Sequence, residues 1–184
     1  MLRLLIFIAA LVGSLLAEAQ DRDLVRVSRS QVRFTSTAPL EVITAANDRV
    51  KGVLDRADRS FAVQVPIVDF LGFNAPLQRE HFNENYLVSA TWPNATFAGR
   101  IIEGIDLHVA AKHEVRAKGT LTIRGEAQER VIPCAIEVSD EGIRVRSRFE
   151  VPVADHGIRI PRVVQQKVAA VVQVELDLLF AAKP

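Results

Sequence analysis

Cysteine is nearly absent from this sequence of 184 residues, occurring once, at Cys134. A single thiol cannot close an internal disulfide, and cysteine-based zinc sites need several thiolates at close spacing. The fold therefore rests on its core. Net charge is equally scarce, because 23 basic residues stand against 22 acidic ones for a balance of +1. No field of one sign remains to hold DNA or RNA through phosphates, which excludes nucleic acid as a partner. Familiar catalytic phrases are missing too. There is no G-x-S-x-G turn and no glycine-rich phosphate loop, and neither Ser89 nor Ser147 has a histidine and a carboxylate in its own phrase. The four histidines meet no recognised metal spacing. His108 and His113, five apart, fall on opposite faces of a regular strand unless a turn separates them, and His81 with Glu84 lacks a third ligand. No metal and no cofactor is implied.

What is abundant is apolar surface, at 49% of residues, and with balanced charge that composition describes a chain of about one domain that collapses and folds. Part of the apolar content is concentrated at the start, where 15 of the first 19 residues are hydrophobic. Arg3 supplies a positive start, Leu4 to Leu16 an apolar stretch, and Ala17-Glu18-Ala19 the small residues that a signal peptidase reads. Residues 1–19 thus read as a cleaved leader and 20–184 as the mature, exported domain. The stretch is too short to span a bilayer, which needs about 20 apolar residues, and no later segment is long and apolar enough. No cysteine follows the leader, which excludes lipidation there.

The mature chain alternates with period 2. From Gly142 to Glu150, Ile143, Val145, Ser147 and Phe149 share one face while Arg144, Arg146, Arg148 and Glu150 share the other, the pattern of a strand with one buried and one wet face. Similar runs occur at Val32 to Thr37, Leu40 to Thr44, Val50 to Asp55, Ser60 to Val68, Thr96 to Glu103, Thr120 to Arg124, Val131 to Val138 and Val172 to Leu178, punctuated by turn residues such as Asp140-Glu141-Gly142. About eight strands at hairpin spacing predict an all-β sandwich or antiparallel barrel. The arginine row reads as a solvated exterior that guards a strand edge, or as a surface for an anionic partner. Cys134 alternates with Ile132 and Ile136 and is expected to point inward as a small hydrophobe.

One segment departs from this pattern. Asn74-Ala75-Pro76 offers an N-cap and a first-turn proline, and Leu77 to Leu87 continue as a short helix that ends before Thr91-Trp92-Pro93. Six of the eleven aromatics gather around it: Phe70, Phe73, Phe82, Tyr86, Trp92 and Phe97. Such a helix suits the end of a barrel, with the polar tips of Tyr86 and Trp92 meeting a headgroup, or Phe82 and Tyr86 serving as its packing face.

Glu80-His81-Phe82-Asn83-Glu84-Asn85-Tyr86 followed by Trp92-Pro93-Asn94-Ala95-Thr96-Phe97, then Gly119 to Gly125, then Phe149 to Pro161, resemble in order the phrases of the YceI-like family. Trp92 before the proline and His156, where tyrosine is common, depart from its pattern. The resemblance implies a lipocalin-like antiparallel β-barrel, exported to the bacterial periplasm and often dimeric, that binds a long-chain isoprenoid, an isoprenoid quinone or another amphiphilic lipid; no catalytic activity is established for the family at large, and none is expected here. Candidate ligand contacts are the six aromatics above together with His81 and Phe149. The same period also fits a filled barrel acting as an interaction protein without lipid, because filled and hollow barrels alternate alike.

Overall fold

The computed structural model describes residues 23–181; the expected leader lies outside the described residues. Nine strand segments follow one another: β1 (Leu24–Thr37), β2 (Val42–Asn47), β3 (Lys51–Asp55), β4 (Ser60–Pro66), β5 (Asn94–Ile101), β6 (Ala111–Ile123), β7 (Glu126–Ser139), β8 (Gly142–Pro152) and β9 (Val171–Ala181). Every neighbour pairs antiparallel, and β9 returns to β1 to close a barrel. β2 and β3 keep one register against β1, from Val32 opposite Asn47 to Arg26 opposite Val53. They are therefore one interrupted strand, and the barrel has eight.

The interruption at residues 48–50 is satisfied by side chains. Ser30 donates its hydroxyl hydrogen to the Asp48 carbonyl (2.9 Å) and accepts from the Val50 N–H (3.2 Å). Buried Asn47 donates to the Pro66 carbonyl (2.6 Å) and accepts from the Arg49 N–H (2.7 Å). Beyond this kink β2 leaves β4 and pairs its free edge only with Leu71, through Ala46. The gap is filled by residues 67–87, which contain α1 (Pro76–His81) and a π-helical turn (Phe82–Tyr86). The expected N-cap at Asn74 is not formed. Ala75 occupies that position, and the Asn74 amide instead donates to the Val42 carbonyl on β2 at 2.9 Å, tying the helix to the strand.

A second parting lies between β7 and β8, which pair only from Ala135 opposite Arg146 to Ser139 opposite Gly142. Pro133 has no N–H to extend that ladder. Its carbonyl accepts from the Ser147 hydroxyl at 2.6 Å instead. The mouth of the barrel is built from residues 38–41, 67–93 and 153–170. The base is built from the shorter connections at 56–59, 102–110 and 140–141 and is packed by Val25, Leu54, Ile101, Leu107, Ile136 and Phe180. Among the described residues no helix is long and apolar enough to cross a membrane.

Candidate functional site

Inward residues of the strands fall on one face because the side-chain period is 2, and toward the mouth they do not meet. They enclose a cavity of about 240 Å³, continued toward the base by one of about 60 Å³. Val63, Phe97, Leu176 and Leu178 line both. No charged side chain stands in either lining, and Tyr86 is the one titratable group of the upper cavity among the described residues. Burial raises the Tyr86 hydroxyl above its usual phenol value. Two other polar groups there are already engaged: Ser36 accepts from the Ala169 N–H at 2.9 Å, and Gln78 accepts from the Asn74 N–H at 3.1 Å and bonds to Glu41.

Four phenyl rings close the helix side of this cavity. Phe34, from β1, lies 5.4 Å from Phe70, 5.9 Å from Phe73 and 5.3 Å from Phe82, measured between centroids. Phe70 and Phe73 reach it from the segment that pairs with β2, and Phe82 from the π-helical turn. On the other side residues 157–170 cross the opening, with Ile158, Ile160, Val168 and Ala169 in the lining. That crossing is held by the Leu40 N–H donating to the Gln166 carbonyl (2.8 Å) and the Val153 N–H donating to the Ala170 carbonyl (3.0 Å).

Of the eight candidate contacts, the fold brings Phe70, Phe73, Phe82, Tyr86, Phe97 and Phe149 together around the cavity. His81 and Trp92 stand outside its walls. His81 is exposed on α1, and the Trp92 ring lies flat against Gly125, where a Cβ would come within 2.8 Å of it. Gly125 and Arg124, both with positive φ (78° and 53°), form the two-residue turn between β6 and β7. Phe34 was not among the candidates, although its alternation with Val32 and Ser36 marks the same face. Ile158, Ile160 and Val168 carry no such signal because their segment is irregular.

The arginine row lies on β8, which pairs with β7 only as far as Arg146. It is not free. Arg144 grips Asp177 with two bonds (2.8 and 2.7 Å), Arg146 lies 3.4 Å from Asp177 and 3.7 Å from Glu137, and Arg148 lies 3.5 Å from Glu175. Cys134 points into the lower cavity, and burial raises its thiol above the ordinary value. His108 and His113 are separated by a turn, since His108 precedes β6 and His113 lies within it. Buried His156 bonds the Glu126 carbonyl through Nδ1 at 3.0 Å. Among the described residues no group of three or more His, Cys, Asp or Glu side chains is placed to hold a metal.

Residues 25–180 match the YceI-like domain family. The fold is similar to that of a polyisoprenoid binding domain from Saccharophagus degradans implicated in plant cell wall breakdown, with a TM-score of 0.73 at 15% identity over 88% of this chain and 99% of that one. It is also similar to Burkholderia cenocepacia BcnA, with a TM-score of 0.66 at 18% identity over 81% and 94%. A mutant Campylobacter jejuni YCEI protein with a monobromobimane guest gives 0.52 at 16% identity over 71% and 78%. No curated protein sequence matches the chain.

Proposed function

The chain belongs to the YceI-like domain family, and from that membership we propose that it is a non-enzymatic, exported binding protein that sequesters or carries a polyisoprenoid, an isoprenoid quinone or a similar amphiphile. The observation that carries this reading is the apolar, uncharged cavity inside the barrel. A hydrocarbon chain enters such a space with no charge to desolvate. The Saccharophagus degradans relative, described as a polyisoprenoid binding domain, supports the ligand class. The residues that contact the chain in this reading are Phe70, Phe73, Phe82, Tyr86, Phe97 and Phe149, together with Phe34 and the inner face of residues 157–170. The Tyr86 hydroxyl, which has no hydrogen-bond partner among the described residues, meets the polar end. Catalysis is disfavoured, because two titratable groups do not face each other in the cavity.

The volume sets how much of a ligand is enclosed. At about 30 Å³ for each water-sized group, 240 Å³ takes roughly eight such groups, or one to two isoprene units. A longer chain must lie across the mouth. Mass spectrometry of the protein under native conditions, followed by calorimetric titration with farnesol, tests the reading. A one-to-one complex with a negative heat-capacity change is expected, the mark of apolar burial; protein that is recovered empty and takes up no farnesol removes it.

A further inference from the structure

The geometry points to a docking face for an anionic lipid surface on the outer side of residues 157–170, an inference that rests on the carrier reading above. Between Asp155 and Glu175 the chain has no acidic residue and three cations, Arg159, Arg162 and Lys167. All three are exposed, and none has an ion-pair partner among the described residues. The contrast with the β8 arginines decides where an anion is met: that row is neutralised by Asp177, Glu137 and Glu175, while this loop is not.

The same face is apolar where it protrudes. Val163 is 88% exposed, and Leu40, whose N–H is bonded to Gln166, is 66% exposed. Val42 on β2 and Leu71 beside it continue the patch, and six of the twelve exposed large apolar side chains among the described residues lie in the segments that build the mouth. Glu41, between Leu40 and Val42, is turned toward Gln78 and Asn74. The exposed carboxylates Glu80 and Glu84 stand on the helix segment, and Asp155 precedes the loop. A surface of unpaired cations around protruding aliphatic side chains is what a phospholipid interface accepts, with the cations at phosphates and the apolar groups among acyl chains. Because the inner face of this loop lines the cavity, docking sets the opening against the lipid.

The test reads Trp92, the single tryptophan. It reports on the mouth because its ring lies on Gly125, next to Arg124, which donates to the Gly157 carbonyl at 2.6 Å. The protein is titrated with vesicles of brominated phosphatidylcholine, with and without phosphatidylglycerol. Quenching of Trp92 is expected only with the anionic vesicles, and Arg159→Gln/Arg162→Gln/Lys167→Gln weakens it about 100-fold, since each surface cation contributes about a factor of five. The triple variant Arg26→Gln/Lys51→Gln/Lys118→Gln removes the same charge from the barrel wall and should stay within about 3-fold of the wild type. Added salt releases the wild type, which keeps the test decisive if the loop variant does not fold. Quenching that ignores phosphatidylglycerol, no quenching at all, or equal losses in both triple variants overturns the proposal. Geraniol uptake measured without vesicles separates the two readings: a protein that docks but takes up no geraniol keeps its docking face and loses its role as a carrier.

Discussion

Phe34 on β1 and Phe82 in the π-helical turn stack face to face, with planes 9° from parallel and centroids 5.3 Å apart. The contact fixes the element that covers the mouth to the barrel wall, since Phe82 also meets Phe70 and Phe73 at 5.6 and 5.1 Å. Because Phe82 is only partly buried, Phe82→Ala should cost about 2–3 kcal/mol, below the range for a fully buried phenylalanine. In a domain of this size that lowers Tm by roughly 5–10 °C. The enlarged cavity should also favour bulkier apolar ligands over geraniol. Calorimetric melting and paired titrations check both parts; an unchanged Tm would mean that the phenyl cluster does not hold the cover.

Ser147 substitutes for a missing ladder bond. Its hydroxyl donates to the Pro133 carbonyl at 2.6 Å, at the point where β7 and β8 part. Ser147→Ala removes this bond at a solvent-exposed carbonyl and should destabilise the protein by about 0.5–1 kcal/mol. Ser147→Thr keeps the hydroxyl and should recover most of the loss. Denaturant unfolding of the two variants decides; equal loss in both would assign the effect to packing.

Strand content was legible because alternation survives wherever inward side chains are large. From Gly142 to Glu150 the expected faces are those observed, with Ile143 buried and Arg146 and Arg148 exposed. The first half of β6 was missed although it alternates strictly, because its inward positions are Ala111, His113, Val115, Ala117 and Gly119, mostly too small to read as an apolar run. The N-terminal part of β1 was missed for its polar Ser28, Arg29 and Ser30. Of these, Ser28 sits at a bulge and donates to the Leu179 carbonyl, and Ser30 bridges the β2–β3 break. The aromatic side of the cavity was visible as clustering in sequence. The wall made by Ile158, Ile160 and Val168 was not, because position across an opening has no period. Nor did the sequence tell the paired arginines of β8 from the unpaired cations of the loop, which differ only in what the neighbouring strands bring opposite them.

Gly99 and Gly119 face each other across β5 and β6. A Cβ on Gly119 would lie 2.2 Å from the Ala98 carbonyl oxygen, and one on Gly99 would lie 2.1 Å from that of Lys118. Both obstacles are backbone, so neither can turn aside as a side chain would. Gly119→Ala should therefore force the strands apart at a cost of about 2–3 kcal/mol or more. Gly104, with open space around it, supplies the control: Gly104→Ala should change stability by no more than about 0.5 kcal/mol. Thermal melts of the two variants give the comparison, and similar values would remove close strand approach as the reason for Gly119.

The base of the barrel carries an ionic cluster with a readable pH dependence. His108 Nε2 lies 2.5 Å from Asp23 and its Nδ1 lies 3.1 Å from Asp106, while Arg56 also bonds to Asp23. An imidazole with a carboxylate at each nitrogen is favoured in its charged form, so His108 is raised above its ordinary value, first by the bond to Asp23 and then by that to Asp106. Asp23 is lowered, chiefly by its bond to Arg56, and Asp177 on β9 is lowered by Arg144. The signs then separate two limbs of the stability profile. A raised histidine contributes stability that is complete below its unfolded value of about 6.5 and is lost as pH rises through the folded value. Lowered aspartates contribute stability present above about 3.9 and lost as pH falls through their folded values. Tm should therefore decline gently above about pH 6.5 and again below about pH 4. His108→Gln should flatten the upper limb while the Asp177–Arg144 pair maintains the lower one. Because His108, Asp106 and Asp23 are at least partly exposed, the upper limb should shrink further in high salt. A series of melts from about pH 5 to pH 9 measures it, and a decline of the same size in His108→Gln would place the alkaline sensitivity elsewhere.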